Sequence, residues 1–177
     1  MKEPIPLPAE QIALHRISWD NKGMKKWEHP PIIKIYEALG AVADGRIEVS
    51  GNEAKIYSSS GNKFYIVSYD SDTESIMAND NGSFWKGYLG YPAIAFLMKT
   101  GVLPYEEEVG ILLKDIKWKD INQQFKNDFD KTLDFILTSK SEMEKEALNQ
   151  FASKVDTRIR ELNLNMLGPK VKPPEGY

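Results

Sequence analysis

Three short β-rich segments follow one another in the first half of the chain, at residues 46–49, 53–58 and 63–69. The gaps between them are made of Ser, Gly and Asn, which are the residues that tight turns require. A third turn follows at Asp70-Ser71-Asp72, and residues 75–78 can add a brief fourth strand. The pattern predicts an antiparallel β-meander of three to four strands over residues 46–78.

The segments that flank this meander have helical patterns. Apolar residues within 32–39 recur every three or four positions, and Gly40 stands where a helix commonly ends. After the meander, Pro92 and Pro104 each suit the first turn of a helix. We therefore predict a short amphipathic helix before the meander and helices over residues 92–116 after it.

The last third of the sequence carries two apolar stripes at helical spacing. The first stripe runs from Trp118 to Ile136, and the second continues to Met166. Between them, Ser141 and Glu144 have the spacing of a capping box, which marks the start of a helix. The pattern predicts a C-terminal helical hairpin over residues 118–166.

Length and composition favour one domain. A chain of 177 residues with 41% hydrophobic residues can bury one substantial core. We therefore predict a single α+β domain over residues 1–167, in which the meander packs against the helices. Residues 168–177 hold three prolines and no apolar periodicity, so we predict a flexible tail there.

The composition also excludes several kinds of chemical site. The chain has no cysteine, which excludes disulfides, thiolate zinc sites and a cysteine nucleophile. No stretch is apolar enough for a signal peptide or a membrane span, so we expect a cytoplasmic protein without membrane contact. The two histidines, His15 and His29, are not spaced for a metal site, and no nucleotide-loop or nucleophile-elbow motif occurs. We predict no catalytic residue, no cofactor and no metal.

A cluster of carboxylate side chains leaves an enzymatic function open as an alternative. Asp70, Asp72 and Glu74 have the alternate spacing that opens a calcium-binding loop, but Ser75 and Asn81 occupy the positions that need glycine and glutamate. A solvated hairpin turn is therefore the favoured interpretation. The alternative is a carboxylate site that Asp70 and Asp72 form with Asp80, and a deep pocket lined by all three would support it.

The loop at residues 79–91 is rich in aromatic residues and glycine. Exposed Trp and Tyr side chains supply large contact areas to a partner at low entropic cost. We predict a protein-binding surface formed by Trp85, Lys86, Tyr88 and Tyr91. The other interpretation is that these rings fold back over the sheet and cover the core.

A second candidate surface is basic. Lys22, Lys25 and Lys26 lie beside Trp27, a combination that can hold a phosphate backbone and stack a base. The net charge of the chain is -3, so the molecule as a whole repels polyanions and only a local patch could bind nucleic acid. Nucleic-acid binding through these four residues is the alternative function.

Residues 51–104 resemble a degenerate SWIM-type zinc finger. Residues 54–67 are similar to the paired strands of that class, and residues 90–97 are placed like its final ligand helix. SWIM-type fingers carry a Cys-x-Cys pair after the strands and a Cys-x-His pair where the helix begins. Here Ala93 and Ala95 stand at the Cys-x-His positions, so the resemblance predicts a finger that has lost its zinc and holds together by apolar packing.

The resemblance implies a non-catalytic role. SWIM-type domains resemble attachment modules of transposases, chromatin-associated ATPases and recombination accessory proteins, where they contact DNA or protein. We therefore expect an intracellular interaction module that binds a protein partner within a DNA-transaction complex. The C-terminal helices would then serve as a scaffold or as the interface of a homodimer.

Overall fold

A five-stranded sheet lies at the centre of the computed structural model, which describes residues 23–175. The strands lie side by side in chain order, and the first four are antiparallel to their neighbours, whereas the fifth is parallel to the fourth. The strands are β1 Ile47–Ser50, β2 Glu53–Tyr57, β3 Phe64–Asp70, β4 Ser75–Ala78 and β5 Asn165–Met166. The predicted α+β class and the four-stranded meander are confirmed.

The pairing register places the apolar side chains of the meander on one face. Ala54 lies opposite Val67, and Ile56 lies opposite Tyr65. These four side chains are buried, while residues between them on β2 face solvent. Because side chains alternate between the two faces of a strand, this single register buries one face against the helices.

Helices cover that face and extend to one side of the sheet. Within the described residues they are α1 Ile33–Ala43, α2 Tyr91–Lys99, α3 Glu107–Gly110, α4 Trp118–Gln124, α5 Phe129–Thr138 and α6 Glu142–Leu162. Helices α1 and α2 pack against each other, and α2 also contacts the four strands of the meander. One hydrophobic core includes buried residues from the sheet and from α1, α2 and α6. No helix among residues 23–175 has both the length and the apolar character needed to cross a membrane.

The predicted end of the first helix at Gly40 is wrong. Helix α1 continues through Gly40 to Ala43, and the left-handed Gly45, with φ +66°, follows its end. A Cβ on Gly40 would lie 2.9 Å from the Trp118 Nε1 and 3.0 Å from the Leu113 carbonyl oxygen. Gly40 is therefore in the helix because the Trp118 indole packs directly on the helix backbone.

The C-terminal region also differs from the predicted hairpin. Its first arm is two helices, α4 and α5, because Lys126 and Asn127 take left-handed backbone conformations between them. The predicted capping box of Ser141 and Glu144 is confirmed at the start of α6. Helix α6 ends before the left-handed Asn163, so Met166 lies in strand β5 and not in the helix.

Strand β5 brings the two ends of the described chain together. The Asn165 amide donates to the Glu74 carbonyl oxygen at 3.0 Å, which joins β5 to the meander. On the other side, the Met166 amide donates to the Lys25 carbonyl oxygen at 2.7 Å. Residues 25–28 are thereby held beside the loop at residues 79–91, where Glu28 pairs with Tyr88.

Candidate functional site

The loop at residues 79–91 is organised by one buried carboxylate. Asp80 accepts hydrogen bonds from the Ser83 amide at 3.1 Å and from the Ser83 hydroxyl at 2.5 Å. The Ser83 oxygen in turn accepts a hydrogen bond from the Gly90 amide at 3.2 Å. A π-helical turn at Gly82–Lys86 follows Asp80. These bonds hold the start and the end of the loop together.

Two glycines allow this loop to close tightly. A Cβ on Gly90 would lie 2.5 Å from the Asp80 Cγ, and one on Gly82 would lie 2.9 Å from the Tyr88 Cζ. Neither position has space for a methyl group. The glycines identified in the sequence are therefore required by packing, and they determine where Asp80 and Tyr88 lie.

Burial governs the ionisation of Asp80. Its removal from water raises the pKa of the carboxyl above the ordinary value of 3.8, and the bonds from Ser83 and the charge of Lys34 oppose this only in part. A perturbed carboxyl in a cleft is a common mark of a functional site, although structural networks also produce it. Whether Asp80 belongs to a functional site therefore depends on the cavity around it.

A cavity of about 480 Å³ opens between this loop, helix α1, the β2–β3 hairpin and helix α4. Its lining includes five cationic and two acidic side chains, together with six aromatic rings. The charged residues are Lys34, Arg46, Lys63, Lys86, Lys119, Glu37 and Asp80, and the rings belong to Tyr65, Trp85, Tyr88, Tyr91, Trp118 and Phe129. The volume falls in the range of sites that bind small ligands.

An ion pair on helix α1 lies at the deep end of the cavity. The Lys34 ammonium lies 3.1 and 3.0 Å from the two carboxylate oxygens of Glu37, one turn further along the helix. Both side chains are largely buried, with exposures of 12% and 4%. Burial lowers the pKa of Lys34, but the Glu37 carboxylate and the nearby Tyr88 and Asp80 outweigh this effect, so the pKa is raised. The ammonium also lies 4.5 Å from the centre of the Phe129 ring.

Helix α4 completes this deep end with an amide. The Asn122 Nδ2 donates to the Glu37 Oε1 at 2.8 Å. The Asn122 Oδ1 is buried and has no hydrogen-bond partner among the described residues, and the same is true of the Trp118 Nε1. Buried polar atoms are nearly always paired, but these two atoms have almost no accessible surface, so they are unsatisfied groups behind the cavity wall that a ligand in the cavity does not reach.

All four residues of the predicted protein-binding surface line this one cavity. Trp85 is 67% exposed and its ring meets the Phe84 ring edge-on, with centroids 4.7 Å apart. Lys86 is exposed and forms no ion pair with a described residue. Tyr88 and Tyr91 are partly covered, and burial raises the pKa of both phenols above 10.0. The loop therefore presents Trp85 and Lys86 at the mouth of the cavity and the two tyrosines in its wall.

Three residues of the predicted nucleic-acid surface, Lys25, Lys26 and Trp27, do not line this cavity. The fourth, Lys22, lies outside the described residues, and Lys25 is exposed. Lys26 donates to the Asn163 carbonyl oxygen at 2.7 Å, and the Trp27 indole donates to the Ile76 carbonyl oxygen at 2.9 Å. These bonds attach the first described residues to the sheet and to the end of α6.

The three carboxylates of the enzymatic alternative are not brought together. Asp70 is the last residue of β3, and its Oδ1 accepts from the amide of Asp72, in the exposed turn that follows, at 3.0 Å. Of the three residues, Asp80 alone lines the cavity. Within residues 23–175, no group of three or more histidine, aspartate or glutamate side chains could hold a metal ion. A pocket lined by all three carboxylates is therefore not formed.

Sequence reasoning missed the pairing of Lys34 with Glu37, and it missed Asn122. A signal for the first two was present, because they are charged residues three positions apart in a helix whose other faces are almost entirely apolar. Helices that are apolar all round are buried, so their charged residues must be paired. Asn122 had no such signal, because only the tertiary packing of α4 beside α1 places it against Glu37.

Comparison with known proteins identifies the family to which the chain belongs. The chain belongs to the family described as uncharacterised conserved protein UCP014422, whose model matches residues 27–165. The match includes every residue named above as a wall of the cavity. No curated protein and no solved structure matches the chain. The resemblance to SWIM-type zinc fingers stays a prediction. In the structure its marker residues Ala93 and Ala95 are fully buried in α2.

Proposed function

We propose that this family member is a non-catalytic binding protein and that its cavity beneath the loop at residues 79–91 binds an anionic group. The observation that carries the proposal is the charge of the lining. Lys34 is paired with Glu37, and Arg46 is paired with Asp44 at 3.0 Å. The remaining cationic side chains of the lining, Lys63, Lys86 and Lys119, outnumber its remaining carboxylate, Asp80, in a chain whose net charge is -3. A cleft with charge of one sign and low-dielectric walls concentrates ligands of the opposite sign.

The positions of the charges support binding at the mouth. Glu37 and Asp80 are both buried, and the charge of each is compensated by hydrogen bonds within the protein. Lys86 is exposed at the opening. A ligand that approaches from solvent therefore meets positive charge before it reaches the buried carboxylates.

The same bonds support a binding role over acid–base catalysis. Asp80 is held by both donors of Ser83, and Glu37 is held by Lys34 and Asn122. A general base must have a lone pair directed at the substrate proton. Both carboxylates of the cavity are mainly occupied as acceptors that fix the surrounding structure.

A titration with an anionic aromatic dye tests the proposal. We expect 8-anilinonaphthalene-1-sulfonate to bind with increased fluorescence, and the affinity to fall as salt is added. The Lys86→Glu variant should bind the dye about three- to tenfold more weakly, the effect of reversing one partly screened charge. Lys99→Glu is the matched control, because Lys99 is also exposed but lies at the end of α2, outside the cavity lining.

Equal loss of affinity in both variants would assign the effect to net charge, and tighter binding by Lys86→Glu would contradict an anion site. A cationic dye of similar size, tested in parallel, should bind more weakly than the anionic dye. If the cationic dye binds as well, the cavity is a general apolar site and the proposal is wrong.

A protein partner is the second candidate, and the exposure of Trp85 favours it. An indole that is 67% exposed at the mouth of a cavity is typical of an interface anchor. The partner would place an acidic side chain beside Lys86. In the dye titration, a glutamate-rich peptide should then compete at lower concentration than a lysine-rich peptide, and Lys86→Glu should remove this difference. Trp85→Ala should raise the concentration that the glutamate-rich peptide requires, because the indole supplies contact area.

A further inference from the structure

The wall of the cavity carries two phenol hydroxyls that bind no described residue. Tyr88 and Tyr91 are half-buried, and both line the cavity. Neither hydroxyl forms a hydrogen bond with another of residues 23–175. The buried side-chain atoms that lack a partner in that range belong to Trp118, Asn122 and Thr132, so the two phenol oxygens keep accessible surface. Each hydroxyl can therefore donate a hydrogen bond to a ligand in the cavity.

The electrostatic surroundings of these two hydroxyls suit an anionic acceptor. Burial raises the pKa of both phenols, so both keep their protons and remain donors at neutral pH. Among the groups that are charged at neutral pH, Lys34 affects the pKa of Tyr88 more than either carboxylate of the cavity does. Arg46 likewise affects the pKa of Tyr91 more than either carboxylate does. The strongest charge effect at each hydroxyl thus comes from a cation.

The mouth of the cavity adds a positive charge and an open aromatic surface. Lys86 is exposed and forms no ion pair with a described residue. Its neighbour Trp85, in the same π-helical turn, is largely exposed. An exposed indole packs well against a flat aromatic ligand. Both residues line the cavity together with the two tyrosines, so a single ligand can contact all four.

These groups suit a phosphate better than a carboxylate. Arginine forms the bidentate pairs that match a planar carboxylate, but Arg46 already donates to Asp44 at 3.0 Å and to the Tyr57 carbonyl oxygen at 2.6 Å. Lysine, in contrast, binds phosphate as a point charge. A phosphate monoester carries about 1.5 to 2 negative charges at neutral pH and three strong acceptor oxygens. It can therefore accept from both phenols and from Lys86 at the same time.

We infer that the cavity takes the phosphate monoester of an aromatic compound, an inference that rests on the proposed anion-binding function. The phosphate oxygens accept hydrogen bonds from the Tyr88 and Tyr91 hydroxyls. Lys86 compensates the charge of the phosphate, and the ring of the ligand packs against Trp85. The cavity volume of about 480 Å³ lies within the usual range of small-ligand sites.

Isothermal titration with three naphthalene ligands tests this inference on the unmodified protein. The ligands 1-naphthyl phosphate, 1-naphthalenesulfonate and 1-naphthoate share one ring system and differ in the anionic group. At about pH 7.5 the phosphate should bind about tenfold more tightly than either of the others, because it carries nearly twice their charge. Glycerol 3-phosphate, which lacks the ring, should also bind more weakly than 1-naphthyl phosphate.

The pH dependence separates ionisation of the ligand from ionisation of the protein. A phosphate monoester gains its second charge near pH 6, whereas a sulfonate keeps a single charge throughout. The ratio of the affinity for 1-naphthyl phosphate to that for 1-naphthalenesulfonate should therefore rise from about pH 5 to about pH 7.5. A constant ratio would contradict a preference for the phosphate.

Two conservative substitutions then locate the hydrogen bonds. Tyr88→Phe and Tyr91→Phe each remove a hydroxyl that has no partner among residues 23–175, so the free energy of unfolding in urea should stay unchanged. Each should weaken the binding of 1-naphthyl phosphate about tenfold, the effect of losing one hydrogen bond to a charged group. Tyr69→Phe is the matched control, because Tyr69 is also half-buried but does not line the cavity. Trp85→Ala should weaken 1-naphthyl phosphate and leave glycerol 3-phosphate unchanged.

The source of the aromatic phosphate is tested with phosphotyrosine, both free and within a short peptide. Tighter binding of the peptide assigns the site to a phosphorylated protein, and equal or weaker binding assigns it to a free small molecule. Both results support recognition of the aromatic phosphate itself.

Equal affinity for the three naphthalene ligands would overturn the inference, and so would unchanged binding of 1-naphthyl phosphate by both phenylalanine variants. If the sulfonate dye binds and the phosphate is not preferred, the inference falls while the proposed anion site stands. If neither the dye nor any of these ligands binds, the proposed function falls as well.

Discussion

Replacing Gly90 with alanine should strongly destabilise the protein, although Gly90 has an ordinary extended backbone with φ -74°. The added Cβ would lie 2.5 Å from the Asp80 Cγ, whereas ordinary contact begins at 3.4 Å. Both carboxylate oxygens would lie closer still, so one of the two groups must move by at least about 0.9 Å. Since Asp80 is 6% exposed, it has little space in which to move.

The size of the effect follows from the bonds that this movement breaks. Asp80 accepts two hydrogen bonds from Ser83, and the Ser83 oxygen accepts a third bond from the Gly90 amide. Leaving a buried donor or acceptor without its hydrogen-bond partner costs about 1–3 kcal/mol, so the loss of one or two of these bonds predicts a decrease of about 3 kcal/mol in the free energy of unfolding. For a chain of this length, such a loss lowers the melting temperature by about 6–12 °C.

A double-mutant cycle measured by urea unfolding checks the cause. Asp80→Ala alone should also destabilise the protein, because the Ser83 amide then loses its partner. In the Asp80→Ala background the obstructing carboxylate is absent, so Gly90→Ala should cost much less than it does in the unmodified protein. Additive costs for the two changes would refute the steric explanation and would mean that Gly90 and Asp80 act independently.

Two further predictions concern Gly40 and Asp80. Gly40→Ala should destabilise the protein by about 1–3 kcal/mol in urea unfolding, because the new methyl group would overlap the Trp118 indole. A gain of about 1 kcal/mol, as helix propensity alone predicts, would contradict this. The pKa of Asp80 is raised in the folded state, so stability is lost as the pH rises from its ordinary value of 3.8 through the folded pKa. The stability of Asp80→Asn relative to the unmodified protein should therefore increase across that rise in pH. Unfolding curves at several pH values measure this difference in the free energy of unfolding. A difference that decreases with pH would exclude Asp80 as the group responsible.

Local patterns in the sequence predicted the α+β class and many of the element boundaries. The turn residues separated the strands of the meander, Pro92 marked the start of α2, and the Ser141 capping box marked the start of α6. These signals are reliable because each depends on backbone groups only a few residues away. Helix ends, strand alternation and tight turns are set by interactions of that short range.

Features that depend on distant residues were predicted poorly. Gly40 had the pattern of a helix end, but the packing of Trp118 made it a helix interior. Met166 continued the apolar stripe of α6, but the left-handed Asn163 ended that helix and pairing with β4 placed Met166 in a strand. In both cases a contact across the molecule outweighed the local preference.

For the candidate site, too, local patterns identified some residues and only the tertiary structure identified the others. The sequence alone identified Trp85, Lys86, Tyr88 and Tyr91, because aromatic residues and glycines concentrated in one loop form an unusual local composition. Only the tertiary structure showed that this loop closes over a cavity whose floor is Glu37 and Asn122, 85 residues apart. A cavity exists through the relative placement of elements far apart in the chain, and no local pattern of residues encodes that placement.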